Sequence, residues 1–400
     1  MTTVVIMMVW LVALAVSLPL LVVTVQCVLA MLPGRSLPRG ERDSIGVLIP
    51  AHNEAGAIQR TVQNIREQML ADDRLLVIAD NCSDNTAPLA GEAGAEVIER
   101  NDPDRRGKGF ALDAGIRALA GSPPGTVIIV DADCQVGSDA LDRLARSVTA
   151  TGRPVQARYL MRMPADSSPE SAVSVFAFLV KNWVRARAMQ RLNLPILLTG
   201  TGMAFPWTVI EKAPLASGEI VEDLALGLLL TRRGSAPSFC EEAHVWSELP
   251  VGAAAAIEQR TRWEHGYLAC MIREIPRLLR DAVVRLKPHL ALVAIDLMVP
   301  PLSLLAIVSL LGWAITGALF IWAGTSAPFW ILTTIGFAAV LSILMAYFRF
   351  GKHIVSVESL RRTPGYVLGK LGIYRRLFGR RQTHWVRTQR EAERHGEGEL

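Results

Sequence analysis

Two carboxylates stand one residue apart in Thr126 to Val136, TVIIVDADCQV. The run Val127 to Val130 is apolar and mostly β-branched, the pattern of a short, fully buried strand. It leads straight into Asp131 and Asp133. At the carboxyl end of a buried strand, such a pair lies where open α/β sheets bind ligands. There it can grip a hard divalent cation that keeps most of its shell for water and phosphate oxygens. The same residues also suit a solvated strand-end turn.

Other polar groups fall at comparable places. His52, Asn53 and Glu54 follow the apolar run ending at Ile49 and open a helical stretch. A strand-to-helix turn of this kind can read a base or ribose while helix amides face phosphate. Asn53 and Glu54 can also be simple caps. Asp80 closes a second apolar run and can accept a hydrogen bond from a nucleoside; Asp84 suits a helix cap. Lys108 lies in Arg105-Arg106-Gly107-Lys108-Gly109, where glycines admit a phosphate and the lysine adds charge. The GxxxxGK spacing of a P-loop is absent, and a solvated basic loop would look similar. Glu222-Asp223 opens a leucine-rich helix, as cap or as base. Gln259 and Arg262 are three apart and Gln259 and Trp263 four apart, so they share a helix face. A guanidinium there suits a diphosphate, and an indole suits a sugar ring. A surface helix with one buried tryptophan is the plainer account.

These residues need elements to hold them. Strands are expected at Gly46–Ile49, Leu75–Ala79, Glu96–Ile98 and Val127–Val130. Helices are expected near Ala55–Met69, Thr86–Gly94, Lys108–Leu119 and Ser138–Thr149. Alternation of this kind argues an α/β domain with a mostly parallel sheet. A long helix from Glu170 to Leu192, a glycine-punctuated segment from Leu197 to Phe205, and a helix at Val221–Arg232 follow.

With 51% hydrophobic residues and only 6% aromatic ones, the chain is more apolar than a soluble domain of its 400 residues. Residues 4–32 form an uncharged apolar run longer than the roughly 20 residues that cross a bilayer. No basic segment precedes it and no small-residue cleavage site ends it, so a retained helix is expected rather than a signal peptide. Arg35, Arg39 and Arg42 follow, which places the N-terminus outside and residues 44–275 inside. Pro300-Pro301 divides the next apolar stretch into an interfacial segment, 276–301, and a span, 302–323; a further span covers 329–348. Two short spans flanking the prolines would be the other arrangement. The basic tail, 349–400, belongs inside, which requires an even number of C-terminal spans and so favours two. The tail mixes its arginines with Tyr366, Leu368, Leu371, Ile373, Tyr374, Leu377 and Phe378, the make-up of a helix lying on an anionic membrane. Beside spans, that reading is preferred to nucleic-acid binding. The five cysteines show no CxxC and no zinc spacing and read as free thiols of a reducing compartment.

Taken in order, Asp80, Asp131-x-Asp133, Glu222-Asp223 and Gln259-x-x-Arg262-Trp263 resemble the family-2 glycosyltransferases. The likeness is to the membrane-bound branch with cellulose, hyaluronan and poly-N-acetylglucosamine synthases and ceramide glucosyltransferase. It covers roughly Ser44 to Tyr267. The resemblance implies an A-type, Rossmann-like nucleotide-sugar fold and inverting transfer with Mg²⁺ or Mn²⁺. It implies that Asp80 contacts the nucleoside, with His52, Asn53 and Glu54 beside the donor. Lys108 would lie near the diphosphate, Asp131 and Asp133 would hold donor and metal, and Asp223 would be the general base. Gly200-Thr201-Gly202, Glu222 and Gln259 would line the acceptor site, with Arg262 and Trp263 closing over diphosphate and acceptor. The partners implied are a nucleotide-sugar such as a UDP-sugar, a saccharide or lipid-linked acceptor, and the membrane. A homo-oligomer or export partner would complete any channel, because three helices cannot enclose a sugar chain. The location implied is a bacterial-type inner membrane. Direct glycosylation of a membrane lipid is the alternative. A scaffold without catalysis would not need carboxylates at all these positions. Two departures stand out: His52 replaces a common aromatic, and Val221 a common threonine.

Overall fold

A computed structural model describes residues 2–163, 169–219, 221–249, 253–324, 326–370, 372 and 374. They divide into two compact units. The first comprises described residues from 35–163, 193–219, 221–249 and 253–270, and the second the remainder.

The first unit is built on an eight-stranded sheet. Its strands are β1 (Ile45–Ala51), β2 (Arg74–Asp80), β3 (Glu96–Arg100), β4 (Thr126–Ile129), β5 (Gln135–Val136), β6 (Val155–Arg162), β7 (Met203–Pro206) and β8 (Ser238–Glu248). Their spatial order is β3-β2-β1-β4-β7-β6-β8-β5. The four strands expected from apolar runs form the parallel half: β2 pairs β1 and β3, and β1 pairs β4. Every residue of β4 is buried, as its composition requires. The other half departs from a mostly parallel sheet. β7 runs antiparallel to both β4 and β6, β5 runs antiparallel to β8, and only β6 with β8 is parallel. Strands β5, β6 and β8 carry no long apolar run, because several of their polar side chains pair across strands.

The parallel register does the positioning. Ala51 lies opposite Ala79, Leu48 opposite Ile129, and Asp80 opposite Arg100. The turns that follow β1, β2 and β4 therefore emerge along one edge. Between the strands run helices Ile58–Arg66, Thr86–Glu92, Lys108–Leu119 and Ala140–Thr151. Leu112 and Ile116 of the Lys108–Leu119 helix pack on Leu48, Leu76 and Ile78 in a core that also takes Phe205, Leu226 and Leu230.

The second unit is helical. Thr2–Ala30, Leu302–Ala323 and Ser326–Ala346 are helices, and among the described residues three helices are long and apolar enough to cross a membrane. Pro300-Pro301 falls between the short Pro288–Leu297 helix and Leu302–Ala323, where each proline removes a backbone donor. Helix Pro169–Leu179 continues through a widened π-type turn, Val180–Arg185, into Ala186–Arg191. At the end of that turn Arg185 is buried. Its Nε donates to Gln26 Oε1 at 2.8 Å and its Nη2 to Asp296 Oδ1 at 2.8 Å. Gln26 Nε2 donates to the same Asp296 oxygen at 2.7 Å, closing a triangle. Tyr366, Leu368 and Tyr374 of the expected surface stretch are described, whereas Leu371, Ile373, Leu377 and Phe378 lie outside the described residues.

Candidate active site

Three polar turns meet at the carboxyl edge of the parallel strands. After β1, Asn53 takes a left-handed conformation, φ +54°. Its amide ties the turn to that after β2: Nδ2 donates to Ser83 Oγ at 3.0 Å, and Oδ1 accepts from the Ser83 N–H at 2.7 Å. Glu54 donates its N–H to Thr86 Oγ1 at 2.7 Å. Asp84 Oδ1 accepts the Thr86 N–H at 3.0 Å from one residue before the cap position, which is Asn85. A ring nitrogen of His52, Nδ1, bonds the Asp80 carbonyl at 2.7 Å. The buried Asp80 carboxylate accepts from Arg100 Nη1 at 2.5 Å and from Asn81 Nδ2 at 3.0 Å. Arg100 also reaches Asp102 and lies over the Phe110 ring at 5.6 Å. Composition gave no sign of Arg100. The available clue was its place, a cation ending β3 beside the carboxylate ending β2.

The second group gathers on Lys108. Its Nζ is ion-paired with Asp131 Oδ1, donates to the Gly200 carbonyl at 2.7 Å, and lies 3.9 Å from Glu222 Oε1. Burial lowers the Lys108 pKa, but Asp131 and Glu222 outweigh it and hold the ammonium above its ordinary value. Burial raises Asp131, and Asp133 adds to the rise against the pull of Lys108. Burial likewise pushes Glu222 up to about 7, with Lys108 opposing and Asp223 and Asp131 reinforcing. Asp223 joins this group through Gly200: a Cβ at Gly200 would stand 3.4 Å from Asp223 Oδ2 and 3.8 Å from Lys108 Nζ. Gly200, at φ +92°, is thus a backbone window between cation and carboxylate.

Gly200-Thr201-Gly202, expected to line an acceptor, also supports the charged group from behind. Thr201 Oγ1 accepts the Asp131 N–H at 3.0 Å. Gly202 donates to Ile129 O at 2.9 Å. The segment is held by Gln156, which the sequence did not single out. Its buried Nε2 donates to Thr201 O at 2.8 Å, and its Oε1 accepts from Thr199 N at 3.0 Å. An amide in the otherwise apolar start of β6 was the overlooked signal.

Gln259, Arg262 and Trp263 are half-buried on helix Ala253–Val284. Burial lowers the Arg262 pKa while Glu222, Glu258 and Asp131 raise it, so its guanidinium stands in the field of the same carboxylates. The Asp131 and Asp133 carboxylates fit a divalent cation as a partial set of hard oxygen donors. Among the described residues no group of three or more His, Cys, Asp or Glu side chains gathers to hold a metal. The rest of the shell would fall to water and ligand oxygens.

The model of the glycosyltransferase-like family 2 matches residues 42–266, more than half of the chain and the whole of this cluster. The chain belongs to this family. Its relatives include poly-β-1,6-N-acetyl-D-glucosamine synthase of Staphylococcus aureus (strain MSSA476), 24% identical over 248 residues, covering 58% of this chain and 57% of that one. Another is the probable glycosyltransferase YdaM of Bacillus subtilis (strain 168), 24% identical over 237 residues and 56% of each chain. The family-2 chain thus spans little more than half the length of the curated relatives it matches. Its fold is also that of the mannosyltransferase PcManGT from Pyrobaculum calidifontis, solved with GDP-Man and Mn²⁺. The two align with a TM-score of 0.54 at 17% identity over 85% of this chain and 98% of that one. The A-type glycosyltransferase fold expected from the ordered motifs is the fold found.

Proposed function

We propose that this glycosyltransferase moves a sugar, with inversion, from a nucleotide-sugar such as a UDP-sugar to a saccharide or lipid-linked saccharide at the cytoplasmic face of a membrane. One observation carries the reading: Lys108, Asp131 and the adjacent pair Glu222 and Asp223, from three separate segments, converge around Gly200. Asp131 and Asp133 would hold Mg²⁺ or Mn²⁺, which when bound would offset charge on the diphosphate leaving group. Relatives named as polymer synthases and a fold neighbour solved with GDP-Man and Mn²⁺ support this reading.

The chain's own side chains supply the remainder. Lys108 and Arg262 steady the diphosphate as its charge develops. Asp80, with Arg100, frames the nucleoside side, and the His52–Glu54 turn borders it. Asp223 takes the proton of the acceptor hydroxyl as that oxygen attacks the anomeric carbon. One base suffices for single inversion. Gly200, Thr201 and Gly202 border the acceptor with Glu222, Gln259 and Trp263. The arginines after the first long helix and after the third favour catalytic unit and tail inside and the N-terminus outside.

Asp223→Asn tests the base. Asparagine caps a helix as well as aspartate does. Donor binding should persist, while turnover falls by about 10² to 10⁴-fold. Near wild-type transfer by this variant would remove Asp223 from the mechanism. Direct glycosylation of a membrane lipid is the second reading. It is favoured by the three long apolar helices among the described residues, too few to enclose a polymer without further copies or a partner. Product sizing after labelled transfer separates polymer from glycolipid.

A further inference from the structure

Arg162 is the last residue of β6 and is exposed. Its guanidinium lies over the Trp246 ring, 4.6 Å from the centroid, and its Nη1 donates to Gln135 Oε1 at 3.0 Å. The His244 ring meets the indole nearly at right angles, with centroids 5.5 Å apart. Among the described residues no carboxylate pairs with Arg162, not even Glu248, which lies opposite it in the register of β6 and β8. Arg74, Arg100 and Arg143 of the same unit each meet one: Glu96, Asp80 and Asp139.

Topology brings this arginine to the edge that carries Asp131 and Asp133. β7 runs antiparallel to both β4 and β6, so β6 points the same way as β4 and ends at the same edge. Gln135 follows Asp133 by two residues, which limits their Cα separation to about 7 Å. Burial raises the Tyr159 pKa well above its ordinary value, and Cys134, Asp133 and Asp131 add to the rise. The outer part of β6 therefore stands in the field of the carboxylate pair. In the sheet order, β1 and β2 lie on one side of β4, and β7, β6 and β8 on the other. Arg162 is thus on the side away from Asp80, with β6 about 10 Å from β4 at the usual strand spacing.

Water answers an ordinary exposed arginine. Here the indole and the Gln135 amide fix the guanidinium plane, so little freedom remains to be lost on binding. With Nη1 tied to Gln135, the edge formed by Nε and Nη2 offers two parallel donors, the fork that grips a carboxylate or phosphate. A neutral hydroxyl would occupy one donor and leave the charge unmatched. The indole is already engaged by the guanidinium and by His244, so it supports the fork rather than stacking on a sugar ring.

We propose that Arg162, set on Trp246 and tied to Gln135, recognises an oxyanion on the sugar substrate, a carboxylate or phosphate outside the nucleotide diphosphate, and so selects acidic saccharides. The proposal rests on the transfer site lying at Asp131 and Asp133. Donor or acceptor can carry the anion.

The experiment uses the full chain in nanodiscs of neutral lipid, with fluorotryptophan in place of tryptophan. Trp246→Phe identifies the Trp246 fluorine NMR signal. Sodium glucuronate and methyl phosphate should shift that signal, and glucose should not. Arg162→Gln should weaken the response about 10- to 100-fold, the loss of a charge-assisted pair of hydrogen bonds. Turnover then locates the anion. A UDP-uronate is compared with its neutral UDP-hexose, then acceptor oligosaccharides bearing a uronate or a phosphate with neutral ones. One arm should favour the charged substrate by about 10- to 100-fold in kcat/KM, carried by KM, and Arg162→Gln should bring that ratio near one. Arg162→Lys keeps the charge without the fork and should restore little of it. Full recovery by lysine would overturn the fork. A Trp246 signal that ignores both anions, or equal use of charged and neutral substrates in both arms, overturns the proposal. Equal losses on charged and neutral substrates in Arg162→Gln would also overturn it, giving the arginine to the nucleotide diphosphate. A shift that follows anionic lipid in the disc and not the soluble anions would give it to headgroups instead. No transfer with any pair, beside a glucuronate shift that Arg162→Gln removes, would sink the transfer reading and keep the anion site.

Discussion

Lys108 and Arg185 are each a largely buried cation held against a carboxylate, one in the sheet unit and one in the helical unit. Arg185 meets a matched pair of partners. Asp296 and Gln26 answer it and each other at 2.7–2.8 Å. Lys108 meets an excess. Asp131, Glu222 and Asp223 crowd one ammonium, with Asp133 beside them, and the Asp131 and Glu222 pKa values rise. A network in which cation, amide and carboxylate answer one another holds helices in register. An acidic surplus around a single lysine is what the proposed function would use for an incoming cation and a diphosphate.

Breaking the surplus should have the largest effect. Asp133→Asn halves the carboxylate pair and should lower metal-dependent transfer by at least about 10³-fold, several kcal/mol of transition-state stabilisation. Retained activity with Mg²⁺ or Mn²⁺ would sink the metal assignment. Breaking the Arg185 network should act on stability instead. Asp296→Ala leaves Arg185 buried without its carboxylate and should cost on the order of 3–5 kcal/mol. This would be seen as a lower unfolding midpoint in detergent, with donor affinity per folded molecule unchanged. An unshifted midpoint would show that the triangle contributes no net stability. Gln156→Ala is the intermediate case, a neutral amide supporting the charged group. It removes hydrogen bonds to Thr199 and Thr201. Loss of about 1–3 kcal/mol is expected, with kcat falling more than donor affinity.

The smallest effect sharpens the comparison through pH. Glu222 has a folded pKa raised from 4.5 to about 7, so the folded chain binds the extra proton between those values. Its contribution to stability therefore falls as pH rises from 4.5 to 7 and is level above. Glu222→Gln should flatten that slope and remove an ionisation near neutrality from the pH profile of kcat. An unchanged slope would mean that Glu222 titrates as an ordinary carboxylate.

The parallel half of the sheet was legible because β1, β2 and β4 are buried runs that tolerate only apolar residues. The expected Lys108–Leu119 helix appears with the same ends. Strands β6 and β8 were not legible. Arg158 bonds His244 across them, and Tyr159 bonds Ser247 at 2.6 Å, so polar residues there signal pairing rather than exposure. Within the site, residue types showed where carboxylates and a lysine belong. They did not show that Asp80 is engaged by Arg100, nor that Thr201 and Gln156 brace Asp131. Those are relations between distant segments, and no local pattern encodes them.

The antiparallel pairing of β4 with β7 has a consequence for synthesis. Ile129 is matched to Met203, and Asp131 needs Thr201, so the charged pair is made long before its support. At about 5–20 residues per second, roughly 4–14 s separate the emergence of Asp131 from that of Met203 in β7. Through that interval the first four strands can pair in parallel, yet β4 presents an open apolar edge of the kind that recruits foreign strands. A chaperone binding the nascent chain would find its target there, and a translational pause before β7 would lengthen the exposure.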